Sequence, residues 1–207
     1  MDRFIDLILS IPGLLLALTF HEFAHGYVAY RMGDNTAKYQ GRLSLNPIDH
    51  MDIIGTLCLL FFRFGWAKPV PVNQNNFYDR KKGIIFVSLA GPVANFILAF
   101  ICYVILKLIS PYYLMSKIAS FFVEILASAV GMNIGLMIFN LIPIPPLDGS
   151  KVLMEFLPYN VRYKMYNLER YSSILLLILL YTGIISPILG FVGDKILWLF
   201  DTITFFI

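Results

Sequence analysis

The first long apolar stretch of the chain, residues 7–30, reads LILSIPGLLLALTFHEFAHGYVAY. It is long enough to cross a bilayer, which requires about 20 predominantly apolar residues in a helix. Its three ionisable side chains, His21, Glu22 and His25, lie in its second half. Ionisable groups are costly inside a membrane and usually serve a function there. The stretch therefore predicts a membrane-spanning helix that carries a functional site.

The composition of the whole chain also indicates a membrane protein. Of the 207 residues, 58% are hydrophobic and only 14% are charged, and the mean hydropathy is +0.74. A soluble domain carries about 25% charged residues. So few charges disfavour a soluble enzyme, a disordered chain and a nucleic-acid-binding protein, and we expect the lipid bilayer rather than nucleic acid as the surroundings of this chain.

The hydropathy pattern predicts an all-α integral membrane protein with about four transmembrane helices. The four apolar stretches long enough to span a membrane are residues 7–30, 84–106, 118–142 and 172–192. No internal repeat or linker divides the chain. We therefore interpret residues 1–207 as a single membrane-embedded domain.

Two further segments are expected to enter the membrane without crossing it. The apolar run that begins at Ile53 is too short to span, and Pro69 and Pro71 follow it. Proline suits extended edge segments, so residues 53–75 are expected to be re-entrant or to form a β-hairpin. The residues after 192 are rich in aromatic side chains and interrupted by charges, which favours an amphipathic helix lying in the interface.

The distribution of basic residues predicts the orientation. If the first span runs inward, residues 31–83 and 143–171 are both cytoplasmic, and together they hold twelve of the sixteen Lys and Arg residues. Cytoplasmic loops of membrane proteins carry such an excess. We therefore predict a multi-pass protein of the cell membrane with its N-terminus outside and both large loops in the cytoplasm.

The polar residues of the first span have the spacing of a metal site. The chain has three histidines, and two of them, His21 and His25, lie four residues apart with Glu22 directly after the first. Positions i and i+4 share one face of a helix, so both imidazoles can bind one metal ion. Glu22 can then accept a proton from a water activated by that ion, as in zinc hydrolases. The alternative is a pair of hydrogen-bonded core histidines, but an apolar span tolerates such groups poorly.

A catalytic zinc site needs a third protein ligand. His50 and the acidic residues near the cytoplasmic ends of the spans are the candidates, and His50 is better interpreted as a loop anchor. His25 precedes the charged Arg31 by about 9 Å of helix, which places the site in the inner half of the bilayer. The span over 118–142 ends on the same side in a proline-rich segment that leads to Asp148. We therefore predict Asp148 as the third ligand.

Three motifs together resemble the site-2 protease family of intramembrane zinc metalloproteases. They are His21-Glu-Phe-Ala-His25, Gly91-Pro-Val-Ala-Asn95 and Asn140-Leu-Ile-Pro-Ile-Pro-Pro-Leu-Asp148-Gly149. Many members of that family also carry a PDZ or CBS domain, and this sequence shows neither, so it resembles a compact member.

The resemblance implies roles for individual residues. It implies one zinc ion per chain, bound by His21, His25 and Asp148, with Glu22 as the general base. It also implies that Asn95 and Asn140 lie near the substrate or the developing oxyanion. Amides also stabilise helix–helix contacts in membranes, so a packing role for each asparagine stays open.

The resemblance further implies the substrate class. The partner would be a transmembrane protein whose helix unwinds and binds as an extended segment. In relatives a re-entrant β-hairpin follows the first span, so Trp66–Asn73 is a candidate edge for strand addition; an ordinary cytoplasmic loop is the alternative. Homo-oligomerisation is compatible with the sequence.

Two other functions would also place a metal-binding cluster in a membrane. A metal-binding transporter could use such residues along an ion path, although Glu22 would then have no obvious role. An inactive, protease-like scaffold could retain the fold alone, although the three ligands and the base are all present. A Glu22→Gln substitution distinguishes these functions from a protease, because only a protease has cleavage to lose.

Overall fold

The computed structural model describes residues 2–52, 55 and 67–206. Within these residues the secondary structure is helical, with one isolated antiparallel bridge between Met51 and Ala67. The helices are α1 Asp2–Arg31, α2 Thr36–Tyr39, α3 Pro47–His50, α4 Arg80–Ile109, α5 Lys117–Leu141, α6 Asp148–Met154, α7 Tyr159–Glu169, α8 Ser172–Thr182 and α9 Ser186–Ile203. Short 3₁₀ turns cover Gln74–Asn76 and Ser110–Tyr112. The predicted all-helical class is confirmed for the residues described.

Among the described residues, two helices are long and apolar enough to cross a membrane. They extend over Arg80–Tyr112 and Lys117–Leu141 and contain the predicted spans 84–106 and 118–142. α1 is equally long and covers the predicted span 7–30, but His21, Glu22 and His25 interrupt its apolar run. A crossing by α1 therefore stays a prediction.

The predicted span over 172–192 is interrupted between Thr182 and Ser186, and its crossing of the membrane stays a prediction. α8 ends at Thr182, and Leu176–Thr182 and Ser186–Ile203 differ in direction by 79°. Gly183 adopts a left-handed conformation with φ +70° at the end of α8, which glycine tolerates without a Cβ clash. Pro187 then lies in the first turn of α9, where a missing N–H costs nothing. The two halves qualify at most as one broken span.

The main core forms where α9 packs against α4 and α5. Phe200 of α9 is fully buried, and its ring contacts those of Phe96, Phe100 and Tyr103 at centroid distances of 5.1–5.6 Å. Aromatic pairs at this spacing favour edge-to-face or tilted packing. The predicted C-terminal amphipathic helix is thus present and anchored on one side, while its interfacial position stays a prediction.

Small residues bring α1 into close contact with the other long helices. A Cβ built on Gly13 would lie 2.7 Å from the Cα of Ala129 in α5, a distance that real side chains do not reach. Membrane helices gain little from the hydrophobic effect between them, so such close van der Waals packing is what associates them. α1 consequently lies against both α4 and α5, which places His21 and His25 inside the helix group.

A proline-rich turn brings Asp148 to the same place. α5 ends at Leu141, because Pro143, Pro145 and Pro146 lack the N–H that a continuing helix would use. The chain turns and starts α6 at Asp148. A Cβ on Gly149 would collide with the carbonyl group of Leu141, so the tight return requires glycine at this position.

The predicted re-entrant segment 53–75 is described only in part, since residues 53–54 and 56–66, including Trp66, lie outside the described residues. The segments on either side of these residues meet at the Met51–Ala67 bridge. The Lys68 N–H donates a hydrogen bond to the His50 carbonyl over 2.9 Å. From Ala67 to Asn73 the chain has neither helix nor strand. The predicted hairpin stays a prediction.

Candidate metal centre

Three side chains converge where α1 meets the start of α6. The Nε2 atoms of His21 and His25 lie 2.9 Å apart. Asp148 places its Oδ2 3.3 Å from His21 Nε2 and 3.0 Å from His25 Nε2. All three residues are at least nine-tenths buried. The i,i+4 spacing places both imidazoles on one face of α1, and the proline-rich turn before α6 brings the Asp148 carboxylate to them.

The far side of each imidazole contacts α4. His25 Nδ1 lies 2.6 Å from the backbone carbonyl of Val87, and His21 Nδ1 lies 2.6 Å from Oδ1 of Asn95. A carbonyl oxygen can only accept, so the hydrogen of His25 is on Nδ1 and the lone pair of its neutral ring is on Nε2. Metal-binding histidines typically use their second nitrogen in this way, which fixes the tautomer and the ring orientation.

The donor set fits a divalent metal ion. Two imidazole nitrogens and one carboxylate oxygen point at each other, and their electron pairs would repel unless a cation lay between them. Nitrogen and carboxylate ligands at 2.0–2.2 Å suit zinc, and three protein ligands leave a fourth position open, as in catalytic zinc sites. His21, His25 and Asp148 are therefore the residues that would hold the metal.

Gly91 of α4 provides the space for this cluster. A Cβ at this position would lie 2.5 Å from both His21 Cε1 and His25 Nε2, and 2.6 Å from His21 Nε2. These distances are far inside van der Waals contact. The backbone of α4 can therefore pass beside both imidazoles only because position 91 has no side chain.

Asp148 has a second polar partner in Lys151. The Lys151 ammonium lies 2.9 Å from Oδ1, the carboxylate oxygen that faces away from the histidines. Because α6 begins at Asp148, the two residues are one helical turn apart and their side chains meet. The ion pair leaves Oδ2 facing the imidazoles, so it favours coordination through one oxygen only.

Glu22 projects into a cavity of about 520 Å³ beside the cluster. Its Oε2 accepts a hydrogen bond from the backbone N–H of Val70 over 2.8 Å. The cavity is also lined by Asn140, Lys151 and the three converging side chains. One carboxylate oxygen of Glu22 is thereby fixed, and the other is available for proton transfer.

The segment that carries Val70 is fastened to the end of α1. The fully buried Asp34 accepts hydrogen bonds from the Asn73 N–H at 2.7 Å, from the Asn76 side chain at 2.8 Å and from the Thr36 N–H at 3.1 Å. Burial alone would raise the pKa of Asp34, but these bonds and that from the Thr36 hydroxyl outweigh it and lower the pKa below its usual value. At neutral pH Asp34 is therefore an anion that holds this segment at the cavity.

The other predicted residues fall into three places. Asn140 lines the cavity, and its amide donates to the Leu136 carbonyl at 3.0 Å. Asn95 is fully buried behind His21. His50 lies away from the cluster and contacts the Ser44 carbonyl at 2.7 Å, as expected of a loop anchor. Whether the predicted residues perform their chemical roles stays a prediction.

Four contacts around the cluster are not among the sequence-based predictions. The hydrogen bond from the Val70 N–H to Glu22 and the one from His25 to the Val87 carbonyl use backbone atoms, which no sequence motif reveals. Lys151 lies three residues after Asp148, and on a helix this spacing indicates an ion pair. Asn133, which contacts Asn95, was visible only as a polar residue within an apolar span.

Known proteins are similar to this sequence over 70–98% of its length. The model of the Peptidase family M50 matches residues 113–184. The chain is 44% identical over 215 residues to YwhC of Bacillus subtilis, covering 98% of each chain. The chain belongs to peptidase family M50, the site-2 protease family.

More distant relatives extend the comparison. Rip2 of Mycolicibacterium smegmatis is 29% identical over 94% of this chain and 73% of its own. MJ0611 of Methanocaldococcus jannaschii is 30% identical over 70% of this chain and 69% of its own. All three relatives bear the name "putative zinc metalloprotease", and no solved structure matches the chain at a significant level. The M50 assignment and the apolar helices support a membrane metalloprotease, and the His21–His25–Asp148 cluster could hold a metal ion.

Proposed function

We propose that this M50 protein is an intramembrane zinc endopeptidase that hydrolyses a peptide bond in or near the transmembrane segment of membrane protein substrates. One observation carries the proposal: the two imidazoles of α1 and the carboxylate of α6 converge within 3.3 Å in a cavity that also contains Glu22. Metal ligands alone would suit storage or transport of an ion. The Glu22 carboxylate lies beside them, with one oxygen fixed by a hydrogen bond and the other able to accept a proton, and this arrangement suits hydrolysis.

Hydrolysis of an amide requires a nucleophile and a proton carrier. Zinc held by the three residues would supply Lewis acidity and would lower the pKa of a coordinated water to about 7. Glu22 accepts the proton from the attacking water and delivers it to the leaving amine. The Val70 N–H holds Oε2 of Glu22, so Oε1 is the oxygen that carries the proton. This fixed orientation lowers the entropy cost of each transfer.

Asn140 is the better candidate for stabilising the oxyanion. Among the described residues its amide group forms one hydrogen bond, to the Leu136 carbonyl, so a second N–H can point into the cavity that it lines. A preorganised donor of this kind contributes about 2.7–4 kcal/mol to the transition state in other hydrolases. Both hydrogens of the Asn95 amide are already donated, which favours a different role for that residue.

A substrate helix has to unwind before its peptide bonds can be attacked, because its carbonyls accept hydrogen bonds from the fourth residue along. We propose that the unwound segment binds as an extended strand beside Pro69–Val72, which borders the cavity. Within the described part of the chain no strand pairs with these residues. Addition to such an edge uses main-chain hydrogen bonds and therefore accepts varied sequences.

The proposed position of the cavity is the cytoplasmic half of the membrane. His25 lies about 9 Å of helix from Arg31, and most basic residues lie in the two loops on that side. We propose the N-terminus outside and a multi-pass arrangement in the cell membrane. A substrate would then be cut near the cytoplasmic end of its own helix.

Cleavage of a transmembrane substrate in liposomes tests the proposal. Wild type, Glu22→Gln and wild type with a zinc chelator are compared by the appearance of product fragments, and bound zinc is measured in each sample. Glu124→Gln is the matched control, because it makes the same chemical change at an exposed position near the N-terminal end of α5. Wild type and the Glu124 variant should cleave. Glu22→Gln should retain zinc and lose cleavage by about 10²–10⁴-fold.

The remaining outcomes identify the other functions. Equal cleavage by wild type and Glu22→Gln that the chelator abolishes would overturn the role of Glu22. Equal cleavage in all three samples would indicate a contaminating protease. Zinc bound in proportion to protein, with no cleavage of any transmembrane substrate, would favour a metal transporter or a scaffold. Zinc uptake into the liposomes would then separate these two functions.

A further inference from the structure

Two asparagines are fully buried between the long helices, Asn95 in α4 and Asn133 in α5. The Asn95 Nδ2 donates to the Ala17 carbonyl and to Asn133 Oδ1, both at 2.9 Å. Asn133 Nδ2 donates in turn to the Ala129 carbonyl at 2.8 Å. The Asn95 Oδ1 is the atom that contacts His21. A chain of hydrogen bonds thus runs through three helices and ends at the metal cluster.

The direction of every bond in this chain is fixed. The carbonyls of Ala17 and Ala129 can only accept, so both asparagines must turn their NH₂ groups toward them. Asn133 then presents Oδ1 to Asn95, and Asn95 presents Oδ1 to His21. An amide flipped by 180° would place two acceptors or two donors face to face. His21 must therefore carry its hydrogen on Nδ1, which leaves the lone pair of Nε2 directed at the cluster.

The two histidines receive the same support by different means. On α4, residues 87, 91 and 95 are four apart and lie on one face. Val87 contacts His25, Gly91 lies beside both rings, and Asn95 contacts His21. For His25 the acceptor is a backbone carbonyl, whose orientation cannot reverse. For His21 it is a side-chain amide, which could rotate and so needs a fixed partner of its own.

We propose that Asn95 is a positioning residue of the metal centre, and that Asn133 holds Asn95 in the orientation that selects the Nδ1–H tautomer of His21. The proposal rests on metal binding by His21, His25 and Asp148, and it does not require that the protein cleave peptides. The alternative is that the two asparagines only join helices, as amides in membranes often do. A joining role would affect stability and leave metal affinity unchanged.

The dissociation constant for zinc separates the two roles. It is measured on purified, folded protein in detergent by competition with a chromophoric chelator. Asn95→Leu should bind zinc about 10–100-fold more weakly than wild type, the usual effect of losing a partner that orients a metal ligand. Asn133→Leu should weaken zinc binding less, by about threefold to tenfold, since Ala17 still directs Asn95. The visible spectrum of the Co²⁺ form should change in Asn95→Leu, because the ring of His21 is no longer held.

Asn140→Leu is the matched control. It removes an amide of the same type from the same helix as Asn133, and the bond lost is to a backbone carbonyl in the preceding turn in both cases. Within the described part of the chain Asn140 forms no hydrogen bond to a histidine, so this variant should keep the wild-type zinc affinity and Co²⁺ spectrum. Its cleavage activity is expected to fall, because Asn140 is the proposed oxyanion donor.

Asn95→Asp keeps the proposal testable if the leucine variant does not fold. Aspartate has the same size and still offers an acceptor to His21, but it loses the amide donor to Ala17 and Asn133. We expect a lower thermal midpoint with a zinc affinity within about tenfold of wild type. Folded Asn95→Asp that has lost zinc binding would overturn the proposal.

Two further results are decisive. If Asn95→Leu lowers only the thermal midpoint while its zinc affinity and Co²⁺ spectrum match wild type, the asparagines join helices and the proposal is wrong. If wild type binds zinc but cleaves no substrate, the proposed function fails while the role of Asn95 is still measured by zinc affinity.

Discussion

A methyl group at position 91 should disable the metal centre without weakening the helices. In Gly91→Ala the new Cβ would lie 2.5 Å from His25 Nε2 and 2.6 Å from His21 Nε2, whereas ordinary contact begins near 3.4 Å. Each ring would have to retreat by about 0.9 Å, several times the tolerance of about 0.2 Å in metal–ligand distances. A zinc ion lies 2.0–2.1 Å from its histidine nitrogens, so the methyl group would also compete for the space of the ion.

We expect zinc affinity to fall by at least about 100-fold, more than the loss of an orienting partner costs. Cleavage should fall with it. Alanine in place of glycine within a helix otherwise adds about 0.5–1 kcal/mol of stability, so general unfolding is not the expected cause.

Gly135→Ala in α5 is the matched control, because no side chain or neighbouring helix among the described residues lies within 4 Å of a Cβ built there. Both variants are purified in detergent, and bound zinc, zinc affinity and thermal midpoint are measured for each. In Gly135→Ala the bound zinc, the zinc affinity and the thermal midpoint should equal or exceed those of wild type. Wild-type zinc affinity in Gly91→Ala would refute the geometry from which this prediction is derived.

Three further predictions concern residues around the cavity. Val70→Pro removes the N–H that holds Glu22, so cleavage should fall about tenfold with zinc binding unchanged, whereas Val70→Ala, which keeps the N–H, should stay near wild type in the same liposome assay. Lys151→Met leaves Oδ1 of Asp148 without its partner and should weaken zinc binding about tenfold in chelator competition; Lys151→Arg should retain most of the affinity, and equal losses in both variants would contradict the ion-pair argument. Asp34→Asn should lower the thermal midpoint at pH 7 by about 5 °C. Because the folded pKa of Asp34 is lowered from 3.8, its stabilisation is complete above that value and is lost as the pH falls through the lowered pKa. The difference between wild type and Asp34→Asn should therefore shrink in acid, and a difference that grows in acid would show that the carboxylate is not the stabilising group.

The metal cluster could be predicted because it depends on short-range geometry. His21 and His25 share a helical face whatever the rest of the chain does. Asp148 could be placed because the predicted order of the spans, together with the prolines before it, puts it at the same predicted end of the helices as His25. The histidine pair needed only the number of residues per turn, whereas Asp148 also needed the predicted topology.

The surroundings of the cluster depend on register between helices, which hydropathy does not contain. Gly91 could be recognised as part of a motif, but its contact with both imidazoles follows from how α4 slides along α1. The helix break at Gly183 is a different case, because residues that end helices are visible in the sequence there. Gly183 and Pro187 both mark helix ends, and the apolar character of residues 172–192 concealed them.

The order of contacts along α4 explains why this helix matters as much as the ligands. Residues 87, 91 and 95 follow one face of α4 and meet His25, both rings and His21 in turn, so the register that admits one contact admits all three. A shift of α4 by one residue would remove the acceptors from both histidines and place a side chain against their rings. α1 and α4 therefore preorganise two nitrogen ligands, and the turn before α6 adds the carboxylate. A metal held by all three would link α1 to α6 and stabilise the packing that created its own site.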